Sequence, residues 1–302
     1  MRFSLTLRPA TGDPVSAKDI ARFAELAESL GFYAVYITDH YYITTPNLHS
    51  VGAAAVVAGA TEKLKIGFAA YQAPLRHPIA AAKELASLDI LSGGRFIAGL
   101  AAGSFEPEFR ALGLPFKRRG AMLEESVQAI KALWTGDRVS FKGEFWSFEN
   151  VTISPKPIQK PHPPIWIATW TAVPRAARRV AAHADGWQAS GLHTDADAVP
   201  LGVAQIEKAC AEIGRDPGAI GRAYVNTIVQ FGATPEQAWQ ELTRHSTAAR
   251  EKHLCLLGDA AAIIRRIEAL RRYGMQEISF QLAPWSLDTV RRIAGEVMPH
   301  FT

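Results

Sequence analysis

The run Thr38-Asp39-His40-Tyr41-Tyr42 sets an imidazole beside a carboxylate directly after an apolar segment at 34–38. An imidazole titrates near neutral pH, so His40 is a candidate to take or give a proton, with Asp39 holding its charge state. A histidine hydrogen-bonded to a neighbouring backbone carbonyl fits the same spacing, and both readings stay open. Small residues at Ala69 and Ala70 close a second apolar segment. They suit either the close approach of a flat ring to the backbone or simple helix packing. Two further segments run out into Gly103-Ser104 and Thr169-Trp170-Thr171, the latter ahead of a helix bearing Arg175, Arg178 and Arg179. Free N–H groups at a helix start with hydroxyls alongside form an anion site, while Ser and Thr are equally ordinary N-caps. His49, His77, His162, His183 and His193 show neither HxH nor HExxH spacing. Cys210 and Cys255 form no CxxC, so no metal site is expected and both thiols are read as buried.

Each of these positions ends a short apolar run, and the runs alternate with helical patterns. Strands are expected over Arg2–Leu7, 34–38, 64–71, Phe96–Ala101, 165–168, 186–188, 224–231 and Glu277–Leu282. Between them, helices are expected from Ser16 to Gly31, over 47–60, Pro78–Leu91, 105–135, 174–184, 199–213, 235–252 and 260–273, with a last helix at the end. Residues 139–153 read as a hairpin insertion, with Lys142-Gly143 between two aromatic-rich runs. Strands apolar on both faces belong in a helix-covered parallel sheet. The expected fold is therefore a (β/α)8 TIM barrel, one domain over 1–302, with insertions at the C-terminal face of the strands. In that fold the chemistry sits on the loops after the strand C-termini. A doubly wound open sheet is the runner-up, weakened by the lack of GxGxxG or GxxxxGK[ST] after any strand.

The chain has 302 residues, 48% hydrophobic and 21% charged, and 33 Lys plus Arg against 29 Asp plus Glu leave +4. That balance excludes a disordered chain, and no apolar run is long enough to cross a bilayer. The dispersed positive charge suits a small anionic ligand better than nucleic acid. The N-terminal residues read as a first strand rather than a signal peptide, so a cytoplasmic location is expected.

Several longer segments carry a family resemblance: LAESLGFYAVYITDHYY at 26–42, RHPIAAAKELASLDILSGGRFIAGLAAG at 76–103 and FKGEFWSFENVTISPKPIQKPHPPIWIA at 141–168. Together with ADGW at 184–187 they resemble the luciferase-like monooxygenase superfamily of flavin- and deazaflavin-dependent barrels. The resemblance implies a ring lying over the strand C-termini, with His40 as the active-site histidine oriented by Asp39. It further implies a non-prolyl cis peptide at Ala69-Ala70 that bulges against the ring, and a cofactor phosphate held by Gly103-Ser104 and Thr169-Trp170-Thr171. An Asp-His pair after the second strand is similar to members using coenzyme F420, which implies hydride transfer. The alternatives are a monooxygenase using reduced FMN from a separate flavin reductase and a non-catalytic flavin-binding protein. The sugar-phosphate branch places a glutamate where this chain has Ser104, so Glu106 and Glu108 are expected to pair with helix dipoles or Arg110. A small substrate is expected, apolar or aromatic if Tyr41, Tyr42, Phe105, Trp170, Trp187 and Trp285 line its pocket. Ala-rich helices and family precedent imply a homodimer.

Overall fold

A computed structural model describes residues 1–8, 16–41, 47–170, 173–245, 251–283 and 285–301. Eight strands pair in parallel and close into a ring. In ring order they are β1 (Arg2–Leu7), β2 (Ala34–Ile37), β3 (Lys65–Phe68), β5 (Phe96–Ala101), β8 (Ile165–Thr169), β9 (Gly186–Ser190), β10 (Gly221–Phe231) and β12 (Glu277–Leu282). The ring closes where Phe3 pairs with Ile278. The expected TIM barrel is therefore what forms. The strands are buried because the inner face fills the barrel and the outer face meets a helix, although one face of β1 and β12 is polar, with Ser4 and Thr6 beside Glu277, Ser279 and Gln281.

The helices follow the apolar periodicity of the sequence. Ser16 caps α1 (Ala17–Ser29) by accepting from the Asp19 N–H, and α1 buries Ile20, Phe23, Ala24 and Ala27. α2 (Ser50–Ala60) and α3 (Pro78–Leu91) present alanines inward. The single helix expected over 105–135 is two: α4 (Glu106–Ala111) and α5 (Arg119–Thr135). They separate at Gly113, whose φ of +69° is left-handed, and at Pro115, which cannot continue a helix. Met122, Val127, Ile130, Leu133 and Trp134 are buried, as their spacing predicts. α6 (Pro174–His183), α7 (Val199–Glu212), α8 (Pro235–His245) and α9 (Ala260–Arg272) complete the outer layer before α10 (Leu287–Arg292). The stretch 246–250 of the expected 235–252 helix lies outside the described residues.

Two strands depart from the sequence pattern. β3 breaks after Phe68 and resumes for two residues as β4 (Tyr71–Gln72), which pairs with Leu100 and Ala101 of β5. The Ala69-Ala70 bond between them is cis, as the resemblance implies. A short strand not expected from the sequence, β11 (Leu256–Gly258), adds parallel to the end of β10. The hairpin forms from β6 (Val139–Lys142) and β7 (Ser147–Val151) with Phe141 opposite Phe148. Its turn is held to α5 by the Glu125 carboxylate, which accepts from the N–H groups of Glu144, Phe145 and Trp146. Among the described residues no helix is long and apolar enough to cross a membrane.

Candidate active site

Parallel closure brings the C-terminal ends of all eight strands to one rim, and the expected site residues arrive there on separate strands. His40 follows β2, Ala69-Ala70 follows β3, Gly103-Ser104 follows β5, and Thr169-Trp170 ends β8. Because β5 and β8 are neighbours, Gly103-Ser104 and Thr169-Trp170 occupy adjacent rim loops. Thr171 and Tyr42 lie outside the described residues.

The imidazole is not held by Asp39. His40 Nδ1 lies 2.9 Å from Glu108 Oε2, and the other carboxylate oxygen of Glu108 accepts the Tyr41 N–H at 2.7 Å. Glu108 is 1% exposed and the His40 side chain 24% exposed, so a buried carboxylate supports an imidazole open to the rim. The expectation that Glu108 pairs with a helix dipole or Arg110 is thus corrected: α4 carries its side chain inward to β2. Gln72 completes the cluster. Its Nε2 donates to the Asp39 carbonyl at 2.7 Å and to Glu108 Oε2 at 3.2 Å, which occupies both amide hydrogens. It lies 3.1 Å from His40 Nδ1 but has no hydrogen left for it, so Nδ1 carries the proton that bonds Glu108 and leaves Nε2 as the exchanging nitrogen.

Asp39 does different work from the one expected of it. Arg76 binds it in a fork, NH1 to Oδ2 at 2.8 Å and NH2 to Oδ1 at 2.9 Å, and Ser50 Oγ and the Gln72 N–H supply two more donors. Both partners of this ion pair are buried. Tyr41 and Tyr71 sandwich the guanidinium at 4.2 and 4.1 Å from their ring centroids. Burial opposes the charge of Arg76, but the Asp39 carboxylate together with Tyr71 and Tyr41 outweighs it and holds the guanidinium protonated. Burial pushes the Tyr71 hydroxyl well above its usual range, so it stays protonated and donates to Glu84 at 2.7 Å. The pair ties the β2 loop to the start of α3, and through the Asp39 backbone fixes where His40 stands.

Several of the remaining rim residues are small. Ala69 and Ala70 offer no atom beyond Cβ, and Gly103 takes a φ of +83° where an added Cβ would sit 2.6 Å from Gln72 Oε1. That buried Oε1 and the Thr38 Oγ1 have no hydrogen-bond partner among the described residues. Ser104 is exposed, Thr169 Oγ1 donates to the Trp170 carbonyl at 3.0 Å, and Trp170, 44% exposed, stacks on His193 at 4.9 Å. Trp187 is instead buried in the apolar core and Trp285 packs on Phe23, so neither is an open pocket wall. Arg178 pairs with Glu212 and Arg179 with Glu124. Among the described residues no group of three or more His, Cys, Asp or Glu could hold a metal ion.

The model of a family described as luciferase-like monooxygenase matches residues 1–278. The chain belongs to the luciferase-like monooxygenase family. Among its relatives, the FMNH(2)-dependent dimethylsulfone monooxygenase of Pseudomonas putida is 35% identical over 225 residues, which are 72% of this chain and 59% of that protein. The oxygenase component of the flavin-dependent trigonelline monooxygenase of Acinetobacter baylyi is 26% identical across 100% of this chain and 96% of its own. The coenzyme F420 dependent tetrahydromethanopterin reductase of Methanopyrus kandleri superposes with a TM-score of 0.84 over 100% of this chain and 99% of that one. At 20% identity that likeness shows the shared barrel alone. As a member of this family the protein is an oxidoreductase using a flavin-type cofactor. The orphaned Thr38 and Gln72 oxygens and the Gly103 cradle fit such a flavin-type ring.

Proposed function

We propose that this protein is a monooxygenase that takes reduced FMN from a separate reductase and inserts one oxygen atom of O2 into a small organic substrate, the other leaving as water. The observation that carries the proposal is the His40–Glu108 pair on the open rim beside Ala69-Ala70. The cofactor assignment rests on the relatives that share sequence, at 35% and 26% identity, which are named for FMNH(2) or flavin.

Reduced FMN, when bound, supplies the two electrons that activate O2. The protein's own part is positional and acid–base. Ala69, Ala70 and Gly103 bound the ring site, and Gly103-Ser104 with Thr169-Trp170 form the neighbouring loops for its phosphate. Glu108 holds the Nδ1 proton of His40, so that Nε2 takes up a second proton from solvent and, as imidazolium, gives it to the oxygen undergoing reduction. Tyr41 and Trp170, both exposed at the rim, favour an apolar or ring-bearing substrate. We also infer a homodimer, for which sedimentation is the check.

Anaerobic titration of the purified protein with reduced FMN and with F420 tests the assignment. The expected result is saturable binding of reduced FMN, and oxygen uptake dependent on His40 when a flavin reductase is added. Tight F420 binding without affinity for reduced FMN would replace oxygenation with hydride transfer at the same site.

A further inference from the structure

Where the chain leaves the ladder between β3 and β4, two successive carbonyls are met by side-chain amides from strands beyond β5 in the ring. Gln188 on β9 donates to the Phe68 carbonyl at 3.1 Å, and Asn226 on β10 donates to the Ala69 carbonyl at 2.8 Å. Asn226 is built for this contact. The pairing of β10 with β12 slips between Tyr224 and Thr227, a bulge that inserts one residue. That inserted residue is Asn226, with a left-handed φ of +61°, a conformation that asparagine tolerates better than most side chains.

The orientation of its amide follows from its partners. A carbonyl oxygen can only accept, so Nδ2 must face Ala69 and Oδ1 must accept from Thr6 Oγ1, 3.1 Å away. With the Thr6 hydroxyl hydrogen spent there, the 2.7 Å contact to Ser279 is one in which Ser279 donates. One directed chain therefore runs from Ser279 through Thr6 and Asn226 to Ala69 across the barrel.

We propose that Asn226 is a positioning residue for the cofactor, fixing the Ala69-Ala70 amide on which the flavin ring rests. The inference depends on the ring site proposed above, and its test separates the two. Asn226→Asp is nearly isosteric, keeps the acceptor for Thr6 and tolerates the same φ, but as a carboxylate has no hydrogen for Ala69. Protonation restores one. Flavin affinity of Asn226→Asp, measured as a ratio to the wild type between pH 8 and pH 5, is expected to be roughly tenfold weaker at pH 8 and to recover toward unity as pH falls. Asn226→Gly, which keeps the φ but has no side chain, should be weakened by a similar factor at every pH. Hydrogen exchange of the peptide over 64–76 in the flavin-free protein is the second measurement. It should be faster in both variants at pH 8 and return toward the wild-type rate only in Asn226→Asp at pH 5. A ratio near unity at pH 8 with unchanged exchange would overturn the role of Asn226. If the wild type bound neither flavin nor F420, the ring site would fail, and exchange alone would decide whether Asn226 holds Ala69. Should Asn226→Asp not fold, Asn226→Gly is read against Thr6→Val, which removes the donor that orients the amide and should weaken binding in the same direction.

Discussion

Replacing Asp39 by asparagine separates a structural from a catalytic role for that carboxylate. Its oxygens accept four hydrogen bonds, two from Arg76 and one each from Ser50 and Gln72, in a site with both charges buried. Asparagine keeps the shape but turns one acceptor into a donor facing two donors, and leaves the guanidinium without its main counter-charge. Breaking one side of a buried pair costs about 3 to 5 kcal/mol. Arg76 retains Glu84 at 3.8 Å and the two tyrosine faces, which places the loss near the lower end, about 3 kcal/mol. For a chain of this size that is a fall in melting temperature of about 6 °C, at roughly 2 °C per kcal/mol. Arg76→Met should cost a comparable amount by stranding the carboxylate. The double variant should fall little further than either single one, a coupling of about 3 kcal/mol, because the second substitution removes the charge that the first one stranded. Calorimetric melts of the four proteins measure this cycle. Additivity within about 0.5 kcal/mol, or a single variant that melts with the wild type, would refute the reasoning. A loss of turnover without a loss of stability would return Asp39 to the imidazole.

Other perturbations test the rest of the site. His40→Ala should lower turnover by about 10² to 10⁴ while flavin affinity is kept, and Glu108→Gln, which preserves the acceptor for His40 but not the charge, should lower it less; stopped-flow rates with reduced FMN check both. Gly99→Ala would place a Cβ 1.8 Å from the Phe68 carbonyl, a backbone atom that cannot swing away, so a loss of about 1 to 3 kcal/mol and weaker flavin binding are expected in melts and titrations. Burial raises the Glu277 carboxyl above its usual value of 4.5, with Ser4 and Arg2 only partly offsetting it. The unfolded chain then releases that proton first, so this residue's contribution to stability falls as pH rises from about 4.5 to the folded value and stays low above it. Glu277→Gln, neutral throughout, should gain on the wild type over that window in chemical denaturation, and a constant difference across pH would contradict the linkage.

Much of the architecture was legible because each barrel strand is a short apolar run closed by a polar or small residue, and 2-to-3.6 periodicity changes mark each passage to a helix. β11 was not, since three residues at 256–258 give no period to read. The break between α4 and α5 was signalled by Gly113 and Pro115 but overridden by the amphipathic spacing around them. At the site, His40, Ala69-Ala70 and Gly103 stood out because they end strands. Glu108 did not, because its partner lies 68 residues away in the loop after β2 and the sequence offered the nearer Arg110 instead. Asn226 had one faint local signal, an amide that interrupts the apolar start of β10.

The sequence alone determined that strands and helices alternate, that the strands lie in a helix-covered sheet, and which residue types stand at the strand ends, because these follow from local periodicity and from the burial of apolar side chains. Only the tertiary structure decided which acid serves the imidazole and which serves the arginine. Ring closure sets β2, α3 and α4 side by side, and hydrogen-bond geometry over a few ångströms then assigns Asp39 to Arg76 and Glu108 to His40. Adjacency along the chain has no bearing on that choice.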